Sequence, residues 1–140
     1  MKGKVLFLCT GNSCRSQMAE GLLKALRPQE FEVYSAGTRP KPIDPMAVEV
    51  TAELGIDISG QSSKHIDELG GIEFDYVITL CEGAKESCPF FPAKRRFFHK
   101  GFEDPPALVQ KGMKKEEILN IYRRVRDEIK AFIEDLDSYL

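Results

Sequence analysis

The chain has 140 residues, of which 42% are hydrophobic and 30% charged, as expected for one soluble domain with its own core over residues 1–140. A formal net charge of −2 gives no electrostatic reason to expect nucleic acid or a membrane as partner. No apolar run is long enough for a membrane span, and the N-terminus lacks a signal-peptide pattern. The four cysteines therefore predict reduced thiols in the cytoplasm and exclude a secreted disulfide framework.

Strand and helix patterns alternate along the chain, which predicts an α/β fold with a parallel sheet and crossover helices. The stretches Arg39–Pro45 and Phe102–Gly112 are predicted as loops. Met46, Val50 and Leu54 are expected to form the apolar face of the second helix. In chain order, the predicted elements are a strand at Lys4–Cys9, a helix at Ser16–Leu26, a strand at Glu32–Ser35 ending in a turn at Ala36-Gly37, a helix from Asp44-Pro45 to Gly55, strands at Phe74–Leu80 and Arg95–His99, and a helix at Lys114–Leu136.

A short polar loop joins the first strand to the first helix. Loop amides and a helix N-terminus bind anions, and the same field favours the reactive thiolate of Cys9. The Arg15 guanidinium offers a planar fork of donors to a tetrahedral oxyanion. Ser16 is expected to donate to Cys9, and Asn12 to adopt a left-handed backbone and tie the loop together. The alternative is a buried core cysteine beside an exposed arginine. The predicted oxyanion-binding residues are Thr10, Gly11, Asn12, Ser13, Cys14, Arg15 and Ser16.

Two of the other three cysteines follow the predicted third strand. Cys81 follows the predicted third strand, and Cys88 comes seven residues later. Cys9 and Cys81 both lie at the carboxyl edge of the predicted sheet, where open α/β sheets bind ligands. Two buried apolar thiols are one alternative, and a zinc site is another, although the spacings depart from the usual ligand pattern. Cys14 is expected to pack and shape the loop, the alternative being an off-pathway bond with Cys9. We predict no metal and no cofactor.

The segment Cys9–Glu20 resembles the active-site segment of thioredoxin-coupled arsenate reductases, which are built on the low-molecular-weight protein tyrosine phosphatase fold. The resemblance covers nearly the whole chain in order. It implies a four-stranded parallel sheet in the order 2-1-3-4, flanked by helices in a three-layer sandwich. Nothing in the sequence demands more than a monomer. The further matching segments are Val33–Gly37, Gly55–Ser59, Val77–Cys81, Cys88-Pro89, Gly101–Pro105 and Arg124–Ile129.

The resemblance implies that the chain reduces arsenate to arsenite in arsenic detoxification. Cys9 would attack arsenic, and Asp104 would protonate the departing oxygen, although an Asp-Pro pair by itself is typical of a turn. Cys81 would then attack the sulfur of Cys9, and Cys88 would attack Cys81. If strand 1 lies beside strand 3, Cys9 and Cys81 end strands about 4.8 Å apart. Thioredoxin would reduce the final Cys81–Cys88 disulfide, with glutaredoxin as the alternative donor.

Two other functions remain open. The first is a low-molecular-weight phosphatase that hydrolyses phosphomonoesters through a Cys9 phosphoenzyme. Gln17 stands where those phosphatases usually have proline, and Pro106 where they usually have an aromatic residue. Both differences weaken the phosphatase interpretation but are compatible with weak phosphatase side activity. The second is a redox sensor without enzymatic activity, in which the Cys81–Cys88 pair opens to bind a partner.

Two expectations concern single segments. Some family members hold potassium with residues that align with Asn12, Glu20 and Ser35 and with an aspartate. Lys64 stands in place of that aspartate, so we expect it to pair with Glu20 and potassium to have no effect. Cys81 and Cys88 would lie about 10.5 Å apart along a helix, too far for a disulfide, so oxidation is predicted to unfold any helix over residues 82–88.

Overall fold

A computed structural model describes residues 3–82 and 89–140. These residues form a four-stranded parallel sheet in the order β2-β1-β3-β4, as the resemblance implied. Two 3₁₀ helices, at Ile66–Leu69 and Leu136–Ser138, complete the regular structure of the described part. The other elements are β1 (Gly3–Cys9), α1 (Arg15–Leu26), β2 (Phe31–Gly37), α2 (Pro45–Ala52), β3 (Phe74–Thr79), β4 (Ala93–His99), α3 (Pro105–Leu108) and α4 (Lys115–Glu134).

The central strand β1 contributes to apolar clusters on both faces of the sheet. Val5 and Phe7 point to one face, where they are buried with residues of α1, α2 and α4. Leu6 and Leu8 point to the other face and pack in a smaller cluster that includes Leu69 of the first 3₁₀ helix. Alternate residues of a strand face opposite sides, and a strand buried on both sides is therefore apolar throughout.

The second helix begins as its sequence predicts. The Asp44 carboxylate accepts a hydrogen bond from the N–H of Met46 (2.9 Å), and Pro45 occupies the first helical position. The expected burial of Leu54 is wrong, because α2 ends at Ala52 and residue 54 no longer follows helical spacing. Gly55 then takes a positive φ of 79°, consistent with its role as a stop.

Two further boundaries differ from the prediction. Strand β2 does not turn at Ala36 but continues to Gly37, because Gly37 still pairs with Cys9. The predicted loop Phe102–Gly112 contains the short helix α3, because prolines at its first positions restrict φ to helical values. The long helix α4 buries Tyr122, Val125, Ile129 and Ile133, which recur three or four residues apart as on one face of a helix.

Two predictions are limited by the described range. The expected unfolding of a helix over residues 82–88 cannot be compared with the structure, since residues 83–88 lie outside the described part of the chain. Across residues 3–82 and 89–140, no helix combines the length and the apolar character that a membrane crossing requires.

Candidate active site

The carbonyl groups of the loop after β1 are bonded to neighbouring segments. Thr10 O, Gly11 O and Ser13 O accept hydrogen bonds of 2.9 Å from the backbone N–H groups of Arg39, Lys41 and Asp44, respectively. A trans peptide directs its N–H opposite to its C=O, so the amides that follow these carbonyls point away from residues 39–44. These bonds fix the orientation of the loop peptides, whose N–H groups are the donors expected to bind an oxyanion.

Asn12 is buried and holds the loop in shape. Its backbone has a positive φ of 47°, as predicted for an asparagine in this position. Its Nδ2 donates to Ser16 Oγ (2.8 Å) and to Ser35 Oγ (2.9 Å), and its Oδ1 accepts from the N–H of Lys64 (2.9 Å). The side chain therefore ties the loop to α1, to β2 and to the segment after Ser62.

Cys9 lies at the base of the loop as a free, buried thiol. Its Sγ is 2.9 Å from Ser16 Oγ, which confirms the expected contact. Buried Arg15 donates through Nη1 to Phe102 O (3.1 Å), and its Nε is 3.6 Å from the Asp104 carboxylate. The Asp104 side chain is 34% exposed. A thiol, a guanidinium group and a carboxyl group that water can reach thus border the same site.

These groups line a cavity of about 600 Å³. Its wall comes from the loop, including Cys9 and Cys14, and from the segments around Lys41 and Asp104. Arg39 and Lys41, both exposed, add positive charge near Arg15. Cations around a partly enclosed cavity attract anions. The cavity has room for a tetrahedral oxyanion together with water.

Cys14 borders the same cavity as Cys9. Burial, followed by the nearby charges of Asp44 and Asp104, raises the pKa of the Cys14 thiol well above its usual value. A protonated thiol is a poor nucleophile. The structure therefore favours the packing role that the sequence suggested for Cys14.

Cys9 and Cys81 lie at the same edge of the sheet, Cys9 as the last residue of β1 and Cys81 two residues after the end of the neighbouring strand β3. The N–H of Leu80 donates to Leu8 O (2.8 Å), so the β1–β3 pairing continues beyond Thr79 to the residues just before both cysteines. Cys81 is fully buried and disulfide-bonded, whereas Cys9 and Cys14 are free. The predicted relay residue Cys88 lies outside the described residues.

Comparison with known proteins identifies the family. The model of the family described as low molecular weight phosphotyrosine protein phosphatase matches residues 4–139. The chain belongs to this family. Over 131 residues it is 49% identical to an arsenate reductase of Shouchella clausii, a match that covers 92% of this chain and 91% of the relative.

Solved structures support the same assignment. An arsenate reductase in the phosphate binding state shares 35% identity and a TM-score of 0.79, covering 99% of this chain and 98% of that one. A thioredoxin-dependent arsenate reductase of Corynebacterium glutamicum shares 29% identity and a TM-score of 0.64, covering 98% of this chain and 63% of that one. The recognised resemblance to phosphatase-like arsenate reductases is thus confirmed.

Two side-chain contacts of this family member were not predicted from the sequence. Gln17 Nε2 donates to Asn12 O (2.9 Å) and Ser62 O (3.1 Å), and Gln61 Nε2 donates to Gln17 Oε1 (2.8 Å). From the sequence, Gln17 is informative only as a departure from the phosphatase pattern. Its spacing of 44 residues from Gln61 gives no local indication that the two amides meet.

The second unpredicted contact joins the cavity wall to α4. Tyr122 donates its hydroxyl hydrogen to Asp44 Oδ2 (2.5 Å), and burial together with this bond raises the pKa of the Tyr122 phenol. The periodicity of α4 predicts that Tyr122 is buried, but it does not indicate that the Tyr122 hydroxyl bonds to Asp44. Asp44 consequently caps α2, bonds the loop through its N–H and holds α4.

Lys64 occupies the position expected to replace a bound cation, but its partners differ from the prediction. Its Nζ donates to Ser35 O (2.9 Å) and Ser62 O (3.0 Å), whereas Glu20 forms its ion pair with Lys24 (2.5 Å) and accepts from Ser35 Oγ. Burial lowers the pKa of Lys64, and the nearby Glu20 charge opposes that shift. The ammonium group thus binds carbonyl oxygens instead of the carboxylate.

No metal centre accompanies these groups in the part of the chain that the structure describes, where no cluster of three or more histidine, cysteine or acidic side chains could hold an ion. His65 is half-buried and caps the first 3₁₀ helix by accepting a hydrogen bond from the N–H of Asp67 (3.0 Å).

Proposed function

We propose that this chain is an arsenate reductase that uses a relay of Cys9, Cys81 and Cys88 and receives its electrons from thioredoxin in the cytoplasm, for arsenic detoxification. The observation that carries the proposal is that two kinds of cysteine follow neighbouring strands at one edge of the sheet. A free Cys9 thiol faces an oxyanion cavity, and a disulfide-bonded Cys81 follows the neighbouring strand. Hydrolysis of a phosphoester needs only the first of these.

The first step forms a bond between Cys9 and arsenic. Arsenate would bind to the loop amides and to Arg15, whose planar donors match its oxygens. The Cys9 thiolate, stabilised by Ser16 at 2.9 Å, would attack arsenic. The departing oxygen would take a proton from Asp104 and leave as water. Asp104 lies 3.6 Å from Arg15 and on the same cavity, which fits that role.

The second step transfers the electrons. The Cys81 thiolate would attack Cys9 Sγ, and the electron pair of the sulfur–arsenic bond would pass to arsenic. Arsenate is then reduced by two electrons to arsenite, while two thiols become the Cys9–Cys81 disulfide. The Cys88 thiolate would attack Cys81 and release Cys9. Thioredoxin would supply two electrons to the Cys81–Cys88 disulfide and restore the resting enzyme.

A phosphatase is the second candidate, since the family model that matches residues 4–139 is named for that activity. Arsenate and phosphate share their tetrahedral shape and charge, and the cavity has the nucleophile, cation and acid that phosphoester hydrolysis uses. The contacts of Gln17 with Asn12 and Gln61 show how this chain accommodates a glutamine where those phosphatases usually have proline.

The test is arsenate-dependent NADPH oxidation in the presence of thioredoxin and thioredoxin reductase. Wild type should turn over many times. Cys88→Ser should release about one arsenite per protein and then stop as the Cys9–Cys81 disulfide, which also demonstrates that the variant is folded. Hydrolysis of an aryl phosphate without any arsenate turnover would instead establish the phosphatase.

A further inference from the structure

Phe90 and Phe97 form an exposed aromatic pair at the edge of the sheet. Phe90 is 68% exposed and Phe97 38%, and their ring centroids are 4.8 Å apart. The other large apolar side chains exposed in the described part of the chain, Leu26, Leu54 and Val109, belong to three separate segments. Adjacent exposed aromatic rings mark contact sites more often than single apolar residues do, because association removes their shared surface from water.

The pair is near Cys81 in the sheet register and near Cys88 in the sequence. Phe97 pairs with Val77 on β3, four residues before Cys81. Phe90 is two residues after Cys88, and two residues of extended chain span about 7 Å. Whatever the conformation of the intervening segment, a protein that reaches Cys88 must therefore come close to Phe90.

The charges around the pair are largely balanced within the chain. Lys94 forms an ion pair with Glu73 (3.3 Å), and Arg95 lies 3.9 Å from Asp75. The Arg96 guanidinium lies 4.8 Å from the centre of the Phe98 ring and donates to Tyr139 O. Two of the three basic side chains of β4 thus face a carboxylate, whereas Arg96 keeps its positive charge beside neutral groups. The apolar surface at this edge comes from the two exposed rings.

We infer that Phe90 and Phe97 are the docking surface for the protein dithiol that reduces the Cys81 disulfide. This inference rests on the proposed function. Cys81 is fully buried, so exchange has to begin with a partner held against the segment that follows it. The partner is a dithiol protein whose reactive cysteine is surrounded by an apolar surface that can pack against the two exposed rings.

The electron transfer at this surface balances. A partner thiolate attacks one sulfur of the disulfide, and the other sulfur leaves as a thiolate and takes up a proton. The second partner thiolate attacks the mixed disulfide and releases the remaining thiol of this chain. The partner becomes a disulfide, and this chain gains two electrons and two protons.

The experiment measures reduction of the oxidised protein without arsenate. Two reductants are compared, thioredoxin over a range of concentrations and dithiothreitol. Each is used to reduce the wild type, Phe90→Ser, Phe97→Ser and the double variant. Leu26→Ser is the matched control, since Leu26 is exposed but lies at the end of α1. We expect the thioredoxin KM to rise about tenfold in the double variant, because a loss of this size is typical when one central apolar contact is removed from an interface. The dithiothreitol rate and the Leu26→Ser variant should remain as wild type.

Two results would overturn the inference. One is a thioredoxin KM in the double variant that stays within twofold of the wild-type value. If the substitutions then only separate a dimer into monomers, the two rings bind a second copy of this chain and not the reductant. The other is an equal slowing with dithiothreitol, which would mean that the rings support the disulfide and not a partner. Single-turnover arsenite formation by each reduced protein is measured separately. Its absence in wild type would refute the proposed function without altering the docking result.

Discussion

The oxyanion loop over residues 9–16 and the edge strand β4 differ in how fully their polar groups are bonded within the protein. Every loop carbonyl from Thr10 to Ser13 accepts a hydrogen bond from another part of the chain, and Asn12 adds three more bonds. Most side chains of strand β4 are instead exposed, and its ion pairs with Glu73 and Asp75 have nitrogen–oxygen distances of 3.3 and 3.9 Å. The region proposed for chemistry is preorganised, whereas the region proposed for docking is left free to meet another surface.

The largest effect should follow from adding one methyl group beside the loop. In Gly37→Ala the new Cβ would lie 2.4 Å from Thr10 O and 2.8 Å from Cys9 O, both backbone atoms. We expect a loss of about 3 kcal/mol in the free energy of unfolding and a fall of about 100-fold in arsenate turnover. Denaturant titration and steady-state kinetics measure both. Gly60→Ala is the control, since its Cβ meets nothing within 4 Å.

Removal of the Asn12 side chain should cost somewhat less. Asn12→Ala leaves the hydroxyls of Ser16 and Ser35 and the N–H of Lys64 without their amide partner. Unfolding should become about 2 kcal/mol easier, and activity should fall because Ser16 loses its orientation toward Cys9. Asn120→Ala, on the exposed face of α4, is the control. Equal stability of the two variants would contradict the comparison.

Lys64→Met should have a smaller effect, because it removes only the two bonds from Nζ to Ser35 O and Ser62 O. We expect a loss of about 1 kcal/mol in the free energy of unfolding. In wild type the ammonium group already occupies these carbonyls, so Tm and turnover should be the same in potassium and sodium chloride at equal ionic strength. A clear rise with potassium would refute this role of Lys64.

The ion pairs between α2 and α4 should depend on pH. Arg123, and then Arg126, lower the pKa of the exposed Glu53 carboxyl from 4.5 to about 2. A carboxyl whose pKa is lowered by folding stabilises the protein above its unfolded pKa. That contribution is lost as the pH falls through the folded value. The difference in stability between wild type and Glu53→Gln should therefore be complete above about pH 5 and vanish near pH 2. A difference independent of pH would exclude the charge as its cause.

The smallest effect belongs to the edge strand. Lys94→Ala removes an exposed ion pair with Glu73, and such pairs contribute about 0.5 kcal/mol or less. We expect a change in Tm close to the error of the measurement. A loss as large as that of Asn12→Ala would remove the distinction between loop and edge.

The sequence was most informative where the deciding contacts are local. The left-handed Asn12, the contact of Ser16 with Cys9 and the cap formed by Asp44 all involve residues within a few positions of one another. Such contacts follow from the chemistry of a turn or a helix start. They therefore appear in the sequence before the fold is known.

Contacts that depend on distant segments were missed or misassigned. Tyr122 meets Asp44 from 78 residues away, and Gln61 meets Gln17 from 44 residues away. Lys64 was expected to pair with Glu20, but Lys24 lies one helical turn from Glu20 and takes that position. These outcomes depend on how the segments pack, which neither periodicity nor spacing specifies.

The burial of Cys14 has a consequence for labelling of the protein. Cys9 and Cys14 both border the cavity, and burial, followed by the charges of Asp44 and Asp104, raises the pKa of Cys14 well above its usual value. Alkylating reagents react with thiolates, so brief treatment at neutral pH of protein with an intact Cys81 disulfide should add one label, at Cys9. The second should appear only on unfolding. In mass spectra of the intact protein, the first adduct would then count molecules labelled at Cys9, and the second would count unfolded molecules.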